Sequence, residues 1–194
     1  MGLAVKTQAR AGRVLGGISR WLAYFGGVML AAVAVMTVVS IIGRALTGFG
    51  FGPIKGDFEM VEAGVAIAVF AFLPWCQLKR GHVTVDVFIA RLPLRLQAAL
   101  GFVGDTLLTL AGFVILWRLW LGFGEKFPYG PESLRSVLGM GSKPFFPQTT
   151  YELELEIWIP YGLSLVGALV FFLVGLYTMW RSLNWVIDGQ EGSV

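Results

Sequence analysis

Carboxylates inside apolar stretches are the residues of this sequence best placed to do chemistry. Glu59 and Glu62 are three residues apart, so a helix would carry both on one face. Asp105 lies within another apolar stretch. Two carboxylates on one face can act as general acid and base, but no second acid pair, nucleophile or base stands nearby in sequence. Catalysis by the glutamate pair is therefore the weaker hypothesis.

Structural roles account for the same acids in two ways. Asp57 suits an N-cap position, and glutamates in the first turns of a helix favour its start. Charged groups near a membrane core also usually meet a partner, which here would be Arg44 or another subunit. Asp105 either marks the cytoplasmic end of its apolar stretch or makes a polar contact between helices.

His82 and Asp86 form the second candidate cluster, because a helix would carry residues four apart on one face. Two ligands without a third make a poor metal site. A chain with one histidine cannot supply bis-histidine haem ligation, and Cys76, the only cysteine, excludes an intrachain disulfide. We expect no catalytic, cofactor or metal site, and a His82 whose hydrogen bonds join span two to the segment after it.

Membrane helices are the elements that must position these residues. The chain is 56% hydrophobic and only 14% charged, with a mean hydropathy of +0.74. Four apolar stretches are near or above the roughly 20 residues that a membrane helix needs. The sequence predicts an all-α integral membrane protein with a basic cytoplasmic arm (1–20), a four-helix membrane domain (21–180) and a cytoplasmic tail (181–194). Its spans are predicted at about 21–42, 58–78, 97–123 and 157–180.

Lysine and arginine residues set the orientation. They concentrate in the amino-terminal arm and the 79–95 loop, whereas the loop between spans one and two carries only Arg44 and Lys55. The positive-inside rule then places both termini in the cytoplasm and the 124–156 segment outside. We expect irregular backbone in that segment, with a capping box of Thr149 and Glu152 at the start of span four.

A short amphipathic helix is predicted between spans two and three. Apolar residues recur from Val85 at i, i+3, i+4 and i+7, which is the spacing of one helical face. We expect this helix to lie in the cytoplasmic interface, with Arg80, Arg91 and Arg95 anchoring lipid headgroups. The tryptophans near the span ends are typical of an aromatic belt at headgroup level: Trp21, Trp75, Trp117, Trp120, Trp158 and Trp180.

The chain resembles the DctQ-like small membrane subunit of tripartite ATP-independent periplasmic (TRAP) transporters. The resemblance rests on Arg44 after span one, the acidic run 57–62, the Lys-Arg-Gly-His-Val-Thr-Val-Asp run 79–86, the Arg-Leu-Pro at 91–93 and the Ile-Trp-Ile-Pro at 157–160. The long 124–156 segment departs from the shorter members of that family. We predict subunit or structural contacts for Arg44, Glu59, Glu62, His82, Asp86 and Asp105.

The resemblance implies a role in secondary transport across the bacterial inner membrane. In such systems a soluble periplasmic protein captures an organic acid, and a large multi-span permease subunit moves it with a sodium gradient. The small subunit is then a scaffold, with the large subunit, the binding protein and membrane lipids as partners and no nucleic acid. Substrate and sodium sites would belong to the large subunit, so none is assigned to this chain.

Two alternatives to a scaffold subunit stay in consideration. The chain could anchor a quinone-linked redox complex, although a His82 outside the spans argues against haem. It could also be an intramembrane enzyme that uses Glu59, Glu62 or Asp105.

Overall fold

Four long helices build the protein, and the computed structural model describes residues 5–81 and 93–188. These helices are α1 (Val5–Ala45), α2 (Asp57–Leu78), α3 (Leu94–Lys126) and α5 (Trp158–Asp188), with a short α4 at Glu132–Val137 and a 3₁₀ turn at Thr47–Phe49. Each long helix is long and apolar enough to cross a membrane. The all-α, four-span prediction is therefore confirmed, whereas the predicted amphipathic helix after His82 lies outside the described residues.

The long helices are arranged as a row in the order α1, α2, α5, α3. Helix α1 packs on α2, α2 on α5 and α5 on α3, and α1 also touches α5. The two central helices, α2 and α5, are therefore better covered by their neighbours. In the most apolar 18-residue stretch of each helix, 33% of the residues are buried in α2 and 39% in α5. The corresponding fractions are only 11% in α1 and 17% in α3. The row leaves most of the apolar surface of its two outer helices uncovered.

Small residues allow the helices of the row to approach closely. A Cβ atom added to Gly26 of α1 would lie 3.2 Å from the carbonyl oxygen of Ala68 in α2. One added to Gly167 of α5 would meet the backbone carbonyl of Phe70 in α2 at 2.5 Å. Close backbone approach at small residues is a common source of helix association in membranes, where the hydrophobic effect between helices is weak.

Three of the helices extend beyond the predicted spans. Helix α1 begins at Val5 within the predicted arm, α3 covers Leu94–Lys126, and α5 continues to Asp188. The 41 residues of α1 would measure about 60 Å, twice the roughly 30 Å of the hydrocarbon core. Hydropathy marks the part of a helix that suits lipid, and charged residues beyond it do not end the helix.

The predicted capping box at the start of span four is wrong. Helix α5 begins at Trp158, and Thr149 instead forms an isolated antiparallel bridge with Glu156. The carboxylate of Glu152 accepts a hydrogen bond from the backbone N–H of Gly56 before α2. A distant backbone donor therefore takes the group that a capping box would have used. The segment between α3 and α5 is also not wholly irregular, because it contains α4.

Candidate functional site

Asp105 lies at the centre of a buried polar cluster that joins α2, α3 and α5. It is only 6% exposed. Arg80 forms an ion pair with Asp105 Oδ2 at 3.3 Å, and the Ser182 hydroxyl donates to the same oxygen. Gln77 donates to Asp105 Oδ1 at 3.3 Å. Gln77 donates further to Thr178 at 2.9 Å. We call these five residues the Arg80 junction.

The geometry bears on both roles considered for Asp105. The residue is in the half of α3 nearer to its start, but its carboxylate contacts side chains of α2 and α5. Inside an apolar protein or membrane, a carboxylate is tolerated when a cation and hydrogen-bond donors face it. Asp105 thus makes a polar contact between helices of this chain. A contact of Asp105 with another subunit remains a prediction.

The ring of Trp185 contacts two guanidinium groups next to the Arg80 junction. The guanidinium carbon of Arg80 is 4.6 Å from the centre of the Trp185 ring, and that of Arg181 is 5.0 Å away. The Arg80 side chain is only 22% exposed and is directed at Asp105. The predicted anchoring of Arg80 to lipid headgroups remains a prediction. Sequence reasoning missed Trp185, whose position after the predicted span was the only available signal.

The opposite end of α2 binds its neighbours through Asp57. Its carboxylate accepts hydrogen bonds from the Ser40 hydroxyl of α1 and from the backbone N–H of Phe58. Arg44, also on α1, is 3.3 Å from the same carboxylate. Asp57 is thus the first residue of α2, preceded by Gly56 with a φ of 70°, and not the predicted N-cap. Among the described contacts, Arg44 pairs with Asp57 instead of with the glutamates.

Glu59 holds the chain segment that precedes α5. Its two carboxylate oxygens accept hydrogen bonds from the backbone N–H groups of Glu152 at 2.8 Å and Leu153 at 3.1 Å. In return, the Glu152 carboxylate accepts the N–H of Gly56. We call this reciprocal arrangement of four residues the Glu59 junction. It leaves the second predicted glutamate, Glu62, outside the network.

Arg135 organises the rest of the same segment, which sequence reasoning missed. Arg135 is only 2% exposed. Its guanidinium donates hydrogen bonds to backbone carbonyls on both sides of α4. The carbonyls belong to Gly124, Phe127, Tyr129, Met140, Gly141 and Ser142. Trp120 adds a bond from its indole nitrogen to the carbonyl of Leu138 at 2.9 Å. One arginine thereby satisfies loop carbonyls that would otherwise need water.

The tryptophans of the predicted belt have different surroundings in the structure. Trp21 is 75% exposed and Trp117 54% exposed, as expected of residues that face lipid or a partner. Trp75 lies beneath two cations, 5.6 Å from the guanidinium of Arg20 and 5.5 Å from the ammonium of Lys79. Trp158 instead joins an internal aromatic cluster with Phe123, Phe127 and Tyr129. Headgroup-level placement stays a prediction for the exposed members.

A groove runs between α2 and α3 over the surface of α5, on the side of the Glu59 junction. It contains a cavity of about 350 Å³ and a neighbouring one of about 510 Å³. Both cavities share Leu119 and Tyr161. The first is lined from α2 by Glu59, Glu62, Ala63, Ala66 and Phe70. Thr150, Leu155 and Ile157 cover it from the segment before α5.

The described residues offer no metal centre. Within 5–81 and 93–188, no three His, Cys, Asp or Glu side chains lie close enough to hold a metal ion. His82 and Asp86, together with Arg91, lie outside the described residues. The side chain of Arg95 is likewise not described. The predicted roles of these residues therefore remain predictions.

The comparisons with known proteins identify the family. No curated protein and no solved structure matches this chain. The family described as "Tripartite ATP-independent periplasmic transporters, DctQ component" matches residues 33–184. That range contains both junctions, the groove, all of α2 and α3, most of α5 and the end of α1. The family match and the four apolar helices together indicate a multi-pass protein of the bacterial inner membrane. The chain belongs to the DctQ component family, the small permease subunits of TRAP transporters.

Proposed function

We propose that this protein is the scaffold subunit that supports a large permease subunit in sodium-driven uptake of an organic acid. A periplasmic binding protein would deliver the acid. The observation that carries the proposal is the uncovered apolar surface of the outer helices α1 and α3. The polar groups of both junctions hold α2, α3, α5 and the segment before α5 together.

The outer surface of α1 is the larger of the two uncovered surfaces. Its residues on the side away from α2 are apolar and exposed, including Val14, Ile18, Trp21, Phe25, Val28, Val35 and Val39. Burial of such surface against a partner of similar polarity relies on close packing and not on the hydrophobic effect. A row of helices with two apolar outer surfaces suits a subunit that widens the stationary part of a larger transporter.

The first test is co-purification. The full chain, tagged and extracted in mild detergent, should bring down a much larger multi-span protein, and its deletion should abolish solute uptake. Purification of the chain alone, with uptake unchanged in the deletion strain, would overturn the proposal.

Cross-linking would locate the partner. In a Cys76→Ser background, single cysteines at Val28 on α1 and at Leu110 on α3 probe the two outer surfaces, both of which are exposed. The large subunit should be captured from at least one of them. A cysteine at Ala68, which is 0% exposed between helices, is the matched control and should capture nothing.

Orientation belongs to the same proposal. We propose that both termini are cytoplasmic and that the segment between α3 and α5 faces the binding protein. A cysteine at Ser142 in intact cells should react with a membrane-impermeant maleimide, and one at Thr7 should react only after lysis. The reverse pattern would contradict the orientation.

The alternatives gain no support from the arrangement of the described residues. Glu59 and Asp105, two of the acids considered for an intramembrane enzyme, accept hydrogen bonds from neighbouring segments. The family is a transporter component and not an enzyme class. A Soret band or a bound quinone in the purified chain would reopen the redox hypothesis.

A further inference from the structure

Two opposite charges face the groove between α2 and α3 without a partner in the described part of the chain. Glu62 lines the first cavity, and Arg118 lines the second. Both residues are exposed. The remaining acids near the start of α2 are already engaged, Asp57 with Arg44 and Glu59 with the backbone of the segment before α5. The groove therefore presents the Glu62 carboxylate from α2 and the Arg118 guanidinium, with the Glu125 carboxylate, from α3.

These charges lie within helices that are apolar enough to span the membrane. Both belong to helix segments long and apolar enough to cross the bilayer. A charged side chain within a membrane-spanning helix is costly and is usually paired or in contact with a polar group. A molecule that supplies both a cation and an anion would satisfy the two walls together.

The rest of the groove is apolar and roofed. Ala63, Ala66 and Phe70 line one wall, and Leu119 lies between the two cavities. Thr150 and Leu155 cover the end nearest Glu59, where the Glu59 junction fixes that segment. Apolar walls beside charged side chains suit an amphipathic ligand.

We propose that the groove binds a zwitterionic phospholipid with a primary ammonium headgroup, of the phosphatidylethanolamine class. Its ammonium would meet Glu62, its phosphate would meet Arg118, and its acyl chains would extend along the apolar walls. Arginine suits phosphate because its planar guanidinium can donate two parallel hydrogen bonds. Glu125, on the same wall as Arg118, adds a second carboxylate, so an anionic lipid without an ammonium suits the groove less well. The proposal goes beyond the scaffold role and does not depend on it.

Native mass spectrometry of the full chain tests the proposal. The chain would be released from detergent containing equal amounts of phosphatidylethanolamine, phosphatidylcholine and phosphatidylglycerol. We expect retention of phosphatidylethanolamine above phosphatidylcholine, which cannot donate a hydrogen bond to Glu62, and above phosphatidylglycerol. Glu62→Gln and Arg118→Gln should each lower the affinity for phosphatidylethanolamine about tenfold. Arg118→Lys should retain part of it.

Matched controls separate this effect from general membrane affinity. Glu132→Gln and Arg13→Gln remove exposed charges of the same kinds outside the groove and should leave lipid retention unchanged. Circular dichroism of every variant checks that the helices form. Equal retention of the three lipids, or unchanged retention in both groove variants, would overturn the proposal.

A last arm tests a protein occupant. In the intact membrane complex, a cysteine at Ala66 in the Cys76→Ser background should fail to cross-link to the large subunit if lipid fills the groove. Efficient cross-linking there would overturn the lipid proposal while supporting the scaffold function. If instead the large subunit does not co-purify with this chain, the scaffold function fails and the lipid proposal is unaffected. The two proposals therefore fail separately.

Discussion

The two ends of α2 use acidic residues in opposite ways. At the Arg80 junction, the buried Asp105 is held by Gln77 and Arg80 from the end of α2 and by Ser182 of α5. At the Glu59 junction, an accessible carboxylate binds the backbone N–H groups of Glu152 and Leu153. The first arrangement neutralises a charge inside the protein. The second uses a charge to fix a chain segment, so the same residue class serves helix association at one end and loop placement at the opposite one.

Removal of the buried carboxylate should have the largest effect. Asp105→Ala leaves Arg80 facing a void, together with donors on Gln77 and Ser182 that lose their acceptor. Breaking one side of a buried ion pair destabilises by about 3 to 5 kcal/mol. Thermal unfolding of the purified chain in mild detergent, followed by circular dichroism, measures the loss.

The exposed acid Glu132 is the control for this variant, and Glu132→Ala should unfold like the parent chain. Arg80→Gln combined with Asp105→Asn should recover part of the stability, because it removes both charges together. A loss of about 1 kcal/mol or less for Asp105→Ala, the range of a surface ion pair, would show that the two junctions do not differ in kind.

Substitution of Arg135 should have the next largest effect, because Arg135 holds backbone carbonyls in the segment that Glu59 fixes. Arg135→Lys keeps the charge but loses the fork of donors that reaches Gly124 and Phe127. We expect a loss of about 2 to 3 kcal/mol in the local stability of this segment, with the four long helices intact. Limited proteolysis between α3 and α5 should therefore accelerate. Unchanged cleavage, or simultaneous loss of helix content, would contradict a role confined to the segment.

Glu59 and Glu62 give a matched pair on one helical face. Glu59→Gln weakens two hydrogen bonds to backbone N–H groups, so the amides of Glu152 and Leu153 should exchange hydrogen about tenfold faster. Glu62→Gln should leave those amides unchanged, since the described structure gives Glu62 no bond to them. Equal effects of the two variants would refute the assignment of loop placement to Glu59 alone.

Local sequence signals predicted α2 better than its contacts. Helix α2 begins one residue before the predicted start and ends at the predicted residue 78, because glycines and charges flank the apolar run at both ends. The family resemblance and the four-span fold are confirmed as well. Extension of α1 to Val5 was missed because hydropathy responds to lipid preference and not to helix continuity.

Contacts between distant positions were the harder part. The Ser182 hydroxyl is separated from Asp105 by 77 residues of chain, and no local pattern selects it among the serines. Nothing in the sequence singled out Arg135, because burial of an arginine depends on carbonyls that only the folded segment brings together. The capping-box motif failed for the same reason, since the N–H of Gly56 competes for the carboxylate of Glu152.

Substitutions in the pair of Arg44 and Asp57 should lower the Tm least. They set the lower limit of the comparison between the two ends of α2. The Arg44 side chain is 65% exposed, so solvent and salt screen its charge. Arg44→Gln should lower the Tm less than any variant of the Arg80 junction, and the difference should vanish at high salt. Asp57→Asn should lower it slightly more, because the Ser40 hydroxyl and the Phe58 N–H also bind that carboxylate. A salt-independent loss in Arg44→Gln as large as that of Asp105→Ala would mean that the pair is shielded in the membrane, and that both ends of α2 hold buried charge.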